Sequence, residues 1–146
     1  MATKDHWENI YSTKNEKEVS WFQQYPKTSM DFAELFSLQK DSKIIDIGGG
    51  DSHFVDALLE AGYTNITVLD ISAKAIERAK IRIGKKAELV KWIVSDVTEF
   101  KPEEKYDFWH DRAAFHFLTD ESLADKYVEI ANAGIEKNGF LVLGTF

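Results

Sequence analysis

Short apolar runs alternate with amphipathic helical stretches from Lys43 to Phe146, and this alternation restricts the fold more than any other feature of the chain. Lys43–Ile47, Ile66–Asp70, Leu89–Val94, Tyr106–His110 and Phe140–Phe146 read as strands, because each is short, apolar and bounded by polar or glycine-containing segments. Helices are expected between them. One runs over Thr28–Gln39; another, Ser52–Ala61, carries Phe54, Val55, Leu58 and Leu59 on one face and stops at Gly62. Ser72 is placed to cap a third, whose Ala75, Ile76, Ala79 and Ile83 form a stripe before Gly84. The last, Asp120–Ala133, spaces Leu123, Tyr127 and Ile130 for burial, and Lys137-Asn138-Gly139 then turns into the final strand. Such alternation predicts right-handed crossovers and a doubly wound α/β fold, with a mostly parallel sheet of about five strands and helices on both faces.

The 146 residues fit one domain, residues 1–146, made of an aromatic-dotted arm (1–27) and an α/β core (28–146). A content of 44% apolar and 29% charged residues is ordinary for a soluble globular chain and excludes the disordered and fibrous classes. The absence of cysteine excludes disulfides and thiolate metal sites. No apolar run reaches the length of a membrane span, and the start MATKDHWEN lacks a signal-peptide core, so a cytoplasmic location with no membrane partner is expected. Eighteen basic against 25 acidic side chains leave a net charge of −7. Lys80, Arg82, Lys85 and Lys86 form the densest basic group, at a helix end where cations meet the negative end of the dipole. The lack of a concentrated basic face argues against nucleic acid as a partner, and the acidic surplus is compatible with a cationic small ligand.

In a doubly wound sheet, ligands bind beyond the carboxyl ends of the strands, so the residues there carry the functional information. The first strand ends Asp46-Ile47-Gly48-Gly49-Gly50-Asp51-Ser52. Three consecutive glycines permit a tight turn and let backbone approach a ligand closely, more than a plain strand-to-helix turn requires. The second ends at Asp70, 24 residues beyond Asp46, where a carboxylate can accept both hydroxyls of a ribose. The third ends Val94-Ser95-Asp96-Val97; an Asp there can accept from an exocyclic amine and the Val97 amide can meet a ring nitrogen.

The pattern Asp46-x-Gly48-x-Gly50, then Asp70, then Asp96 resembles the Rossmann-like class I S-adenosylmethionine-dependent methyltransferases, nearest the type-11 and type-12 domain groups. The resemblance extends over His6-Trp7-x-x-x-Tyr11 and over Trp109-His110-Asp111-Arg112-Ala113-Ala114-Phe115-His116-Phe117-Leu118. It implies S-adenosylmethionine as cofactor and S-adenosylhomocysteine as product. Asp46 and Gly48, Gly49 and Gly50 would hold the methionine end, Asp70 the ribose, and Asp96 and Val97 the adenine, with Ile71 and His110 also among the cofactor-binding residues. His110 and Asp111, past the fourth strand, would face the methyl group and its acceptor, with Tyr11 and Trp7 closing over the cofactor. The acceptor would be a small molecule or a protein side chain.

Two departures bear on activity. Ser52 stands where the family's third glycine usually falls, and the sequence stops at Phe146, before two further strands that complete the family's seven-stranded sheet and part of its acceptor pocket. A non-catalytic cofactor-binding or regulatory module is therefore the alternative. An NAD-dependent oxidoreductase fits less well: G-x-G-x-x-G would need glycine at His53, and Tyr127 has Ala131 rather than lysine four residues on. Methyl transfer needs alignment rather than a metal, with a base only if the acceptor must lose a proton; His110 is the best-placed base, and Asp111 beside Arg112 could position an amine. Finally, Phe140–Phe146 is apolar on both faces and contains no Lys or Pro. As a sheet edge it would be unprotected, which predicts a homodimer through the C-terminal strand.

Overall fold

The computed structural model describes residues 27–111, 118 and 120–143. Its elements, in chain order, are α1 (Lys27–Leu35), β1 (Ile44–Ile47), α2 (Phe54–Glu60), β2 (Ile66–Asp70), α3 (Ala73–Ile83), β3 (Val90–Val94), β4 (Tyr106–Asp111), α4 (Glu121–Gly134) and β5 (Ile135–Leu143). Short 3-10 turns, Gly84–Leu89 and Val97–Glu99, flank β3. The five strands form one sheet in the order β3-β2-β1-β4-β5, and every neighbouring pair is parallel.

Alternation along the central strands divides the core into two. Ile44, Ile66, Val68 and Phe108 face Met30 of α1, Phe54, Val55 and Leu58 of α2, and Ile76 of α3. Ile45, Ile47, Leu69 and Trp109 face Val97, Phe100, and Tyr127 and Ala131 of α4. All four residues of β1 and all five of β2 are buried, the burial expected of parallel strands covered on both sides.

The helix boundaries follow local chemistry. Ser72 accepts from the Ala75 amide at the start of α3, and Asp120 accepts from the Ser122 amide at the start of α4. α1 is shorter than the expected Thr28–Gln39, because the backbone departs from it after Leu35 and Ser37 takes φ 53°.

Two expectations for the end of the chain need correction. β5 begins at Ile135, not Phe140, and Lys137-Asn138-Gly139 lies inside it. Tyr106 pairs with Ile135 and Phe108 with Phe140, so the polar stretch is accommodated as a register shift rather than as a turn before the strand.

Candidate functional site

The strand order brings the carboxyl ends of β1, β2 and β3 side by side on one edge of the sheet. Gly48 adopts φ 71°, a left-handed conformation that glycine tolerates without cost, and its amide donates to the Leu69 carbonyl at 2.7 Å. Gly49 lies directly against the Asp46 side chain, where any Cβ would collide with the carboxylate. The Gly50 amide donates to Asp70 Oδ2 at 2.9 Å. Asp46, the glycine turn and Asp70 thus form one contiguous cluster, as their spacing in the sequence suggested.

Asp46 is 1% exposed. Its Oδ1 lies 2.8 Å from His110 Nδ1, while Oδ2 is buried against the glycine turn with no hydrogen-bond partner among the described residues. A buried carboxylate oxygen without a donor carries a desolvation cost, which a cationic ammonium group at that point would relieve. Asp70 is also buried, and its Oδ1 accepts from the Ser72 amide at 2.8 Å. Burial pushes its carboxyl up to about 7, against the opposing effect of the Ser72 and Gly50 amides and with a smaller push from Asp51 and Asp46. Each oxygen keeps a second lone pair for a hydroxyl donor. Ile71, next in the chain, is half-buried. Asp96 is half-buried and caps the 3-10 turn, its Oδ1 accepting from the Thr98 amide at 2.9 Å and hydroxyl at 2.7 Å, while Val97 is buried.

Helix α3 holds this edge together from behind. Arg78 Nε and Nη2 donate to the two oxygens of Asp51 at 3.0 and 2.7 Å. One turn later, Arg82 makes the same fork onto Asp56 and also reaches the Ser52 carbonyl. Arg82, read from sequence only as a cation at a helix terminus, therefore also links α3 to α2.

The structure places the two candidate catalytic residues differently from their expected setting. His110 and Asp111 lie inside β4, not beyond it, and are 2% and 0% exposed. Their side chains point to opposite faces of the sheet, as consecutive strand residues must. His110 sits on the face of α1 and α2, with Nε2 2.7 Å from Ser29 Oγ and its ring centroid 4.2 Å from that of Phe54. Asp111 sits on the face of α4, where its Oδ2 accepts from the Tyr127 hydroxyl at 2.5 Å. Trp109 Nε1 donates to the same hydroxyl at 3.1 Å. Burial, then the adjacent Asp111, push the Tyr127 phenol far above its usual range.

Tyr11 and Trp7 of the arm, and Arg112 and His116 after β4, lie outside the described residues. Sequence reasoning missed Ser29 and Arg78, and it read Tyr127 only as a buried helix residue, not as the partner of Asp111. Arg78 and Arg82 had a signal only in their shared i, i+4 face on the helix, not in the acids they meet; Ser29, 81 residues from His110, had none.

Comparison with known proteins agrees with this geometry. A family described as a methyltransferase domain matches residues 44–134. The malonyl-[acyl-carrier protein] O-methyltransferase 1 of Ilyobacter polytropus is 30% identical over 112 residues, covering 75% of this chain and 41% of that protein. The human EEF1A lysine methyltransferase 2 is 26% identical, covering 94% of this chain and 58% of that one. The chain thus spans about half the length of these curated relatives. Among solved structures, an S-adenosylmethionine-dependent methyltransferase from Clostridium acetobutylicum superposes with a TM-score of 0.71 at 13% identity, over 95% of this chain and 56% of that one, which establishes the shared fold. With the family match spanning both the glycine turn and the three acidic strand ends, the chain belongs to the methyltransferase-domain family.

Proposed function

We propose that this chain binds S-adenosylmethionine at the β1–β3 edge and transfers its methyl group to a nucleophile on a small molecule or a protein. The observation that carries this reading is the buried Oδ2 of Asp46 at the glycine turn, which has no partner among the described residues and fits the methionine ammonium. Gly48–Gly50 would supply backbone to the rest of the methionine end, Asp70 with Ile71 would take the ribose hydroxyls, and Asp96 with Val97 the adenine. The cofactor supplies a methyl group already activated by its sulfonium for in-line displacement. The protein's part is alignment and exclusion of water, and alignment alone is worth roughly 7–11 kcal/mol of such a barrier.

His110 and Asp111 act in this reading by holding other groups, not as an exposed base and an amine ligand. Both are buried with hydrogen-bond partners in place. An acceptor that arrives deprotonated needs no base. The two curated relatives bear on the acceptor class, since their names specify a carrier-bound malonyl O-methylation and a lysine methylation. Two copies of the chain are further inferred to pair along β5, where Leu141 and Leu143 are exposed.

Calorimetry with S-adenosylhomocysteine and NAD tests the cofactor assignment. Tight S-adenosylhomocysteine binding with no NAD binding is expected; the reverse order refutes it. Asp46→Asn is the sharpest variant, because the amide oxygen still accepts from His110 while an NH2 donor replaces Oδ2. It should weaken S-adenosylhomocysteine by about 100-fold, the loss of a charge-assisted bond compounded by facing two donors.

A further inference from the structure

A chain of three buried polar side chains crosses from α1 to the cofactor edge. Ser29, in the first turn of α1, is 5% exposed; His110 on β4 is 2% exposed; Asp46 on β1 is 1% exposed. The contacts are Ser29 Oγ to His110 Nε2 at 2.7 Å and His110 Nδ1 to Asp46 Oδ1 at 2.8 Å. Asp46 and His110 stand directly opposite each other in the parallel register of β1 and β4, so the second contact is built into the sheet. The first depends on where α1 packs.

The order serine, histidine, aspartate resembles that of a nucleophile and its base. This serine is not a nucleophile. It lies on the buried face of α1, and the imidazole packs against Phe54, with centroids 4.2 Å apart, and Phe108, at 6.1 Å. What the chain does bear on is the aspartate at its end. The terminal torsion of an Asp side chain is broad, so a carboxylate held at one oxygen stays aimed only while its partner stays fixed. As a carboxylate, Asp46 only accepts, so His110 donates to it from Nδ1. In the tautomer with its one proton on Nδ1, Nε2 is bare, and the hydroxyl of Ser29 is then the group that donates to it.

We propose that Ser29 is a positioning residue for the cofactor: by donating to His110 Nε2 it fixes the ring that aims Asp46 Oδ2 at the glycine turn. The proposal rests on the assignment of that oxygen to the methionine ammonium. Ser29 never touches the ligand. Its hydroxyl sets the tautomer and orientation of the imidazole, and the imidazole sets the rotation of the carboxylate. The first turn of α1 is thereby coupled to cofactor affinity, although 81 residues separate Ser29 from His110.

The test uses the full 146-residue chain and two readouts. One is S-adenosylhomocysteine affinity by calorimetry, on variants whose ligand-free thermal transition remains cooperative. Ser29→Ala should weaken binding about tenfold and Ser29→Thr, which keeps the hydroxyl, should restore it. His110→Asn keeps a donor near the Nδ1 position and should bind more tightly than His110→Leu, which keeps none. The other is nitrogen NMR of the ligand-free protein, with the His110→Asn spectrum assigning the ring: Nδ1 should carry the proton and Nε2 none. Ser29→Ala binding as well as the unmodified chain overturns the proposal, as does failure of threonine to restore affinity, equal affinity in the two His110 variants, or a proton on Nε2. Asp46→Asn separates the two levels of the argument. If it leaves affinity unchanged, the assignment of Asp46 itself fails; if it weakens binding while Ser29→Ala does not, only the role of Ser29 fails.

Discussion

Asp70 sits in an environment that its position in the sequence does not reveal. Its carboxyl titrates at about 7 because it is buried, and both oxygens already accept backbone amides. Ribose hydroxyls are donors and favour the ionised form, so below that pKa binding must displace a proton. S-adenosylhomocysteine affinity should therefore rise with pH from about 6 to about 8, then level off, with proton release near pH 7 seen as buffer-dependent binding enthalpies. A pH-independent affinity would remove Asp70 from the ribose site. The same raised pKa has the opposite sign for the ligand-free fold. The folded state holds the proton more tightly than the unfolded chain, so this stabilising contribution is complete below about pH 4 and is lost as pH rises through about 7. Asp70→Ala should also cost more affinity than Asp96→Ala. In the proposed assignment Asp70 would offer two charged bonds to a diol besides holding the Gly50 amide in the turn, whereas Asp96 would offer one bond to an amine and otherwise caps a 3-10 turn.

Helix α3 shows how an element can hold a site it does not enter. Its apolar stripe of Ala75, Ile76 and Ala79 is buried, while Arg78 and Arg82 fork onto Asp51 and Asp56 on the chain that follows β1. Asp51 directly follows the glycine turn and is 8% exposed, so removing its partner leaves a carboxylate with little water to compensate. Arg78→Met should lower stability by about 1–3 kcal/mol in urea unfolding and also weaken S-adenosylhomocysteine. A loss of stability with unchanged affinity would confine the fork to a structural role. The stripe and its Ser72 cap were legible because they depend on residues three and four apart. The forks were not, because which acids face α3 depends on how β1 and β2 pair.

At the scale of the molecule, β5 is the exposed question. It is an edge strand among the described residues, with Leu141 49% and Leu143 39% exposed. Its first half carries Glu136, Lys137 and the register shift, features that discourage edge pairing, so among the described residues the unprotected part begins at Phe140. Phe140 is partly covered by Phe36, whose ring stacks on it at 4.0 Å. The remaining apolar segment still favours association. Light scattering at micromolar concentration should give a dimer mass, and Leu141→Lys should shift it to monomer; a monomer in the unmodified chain refutes the pairing.

The period of the apolar runs, the glycine turn and the acids at three strand ends were sufficient to specify a parallel α/β sheet and to single out the carboxyl ends of its strands as the candidate cofactor site. These are local features, set by residues a few positions apart and by the rule that parallel strands expose their carboxyl ends together. Only the tertiary structure decided where the His110 and Asp111 side chains lie and what they contact. Both were legible as polar residues at the end of an apolar run. Their assignment to opposite faces depended on the strand reaching Asp111, and their partners, Ser29 and Tyr127, come from helices distant in the chain. Periodicity reports which residues share a face; it does not report which distant helix comes to cover that face, and the burial of these two side chains follows from that packing.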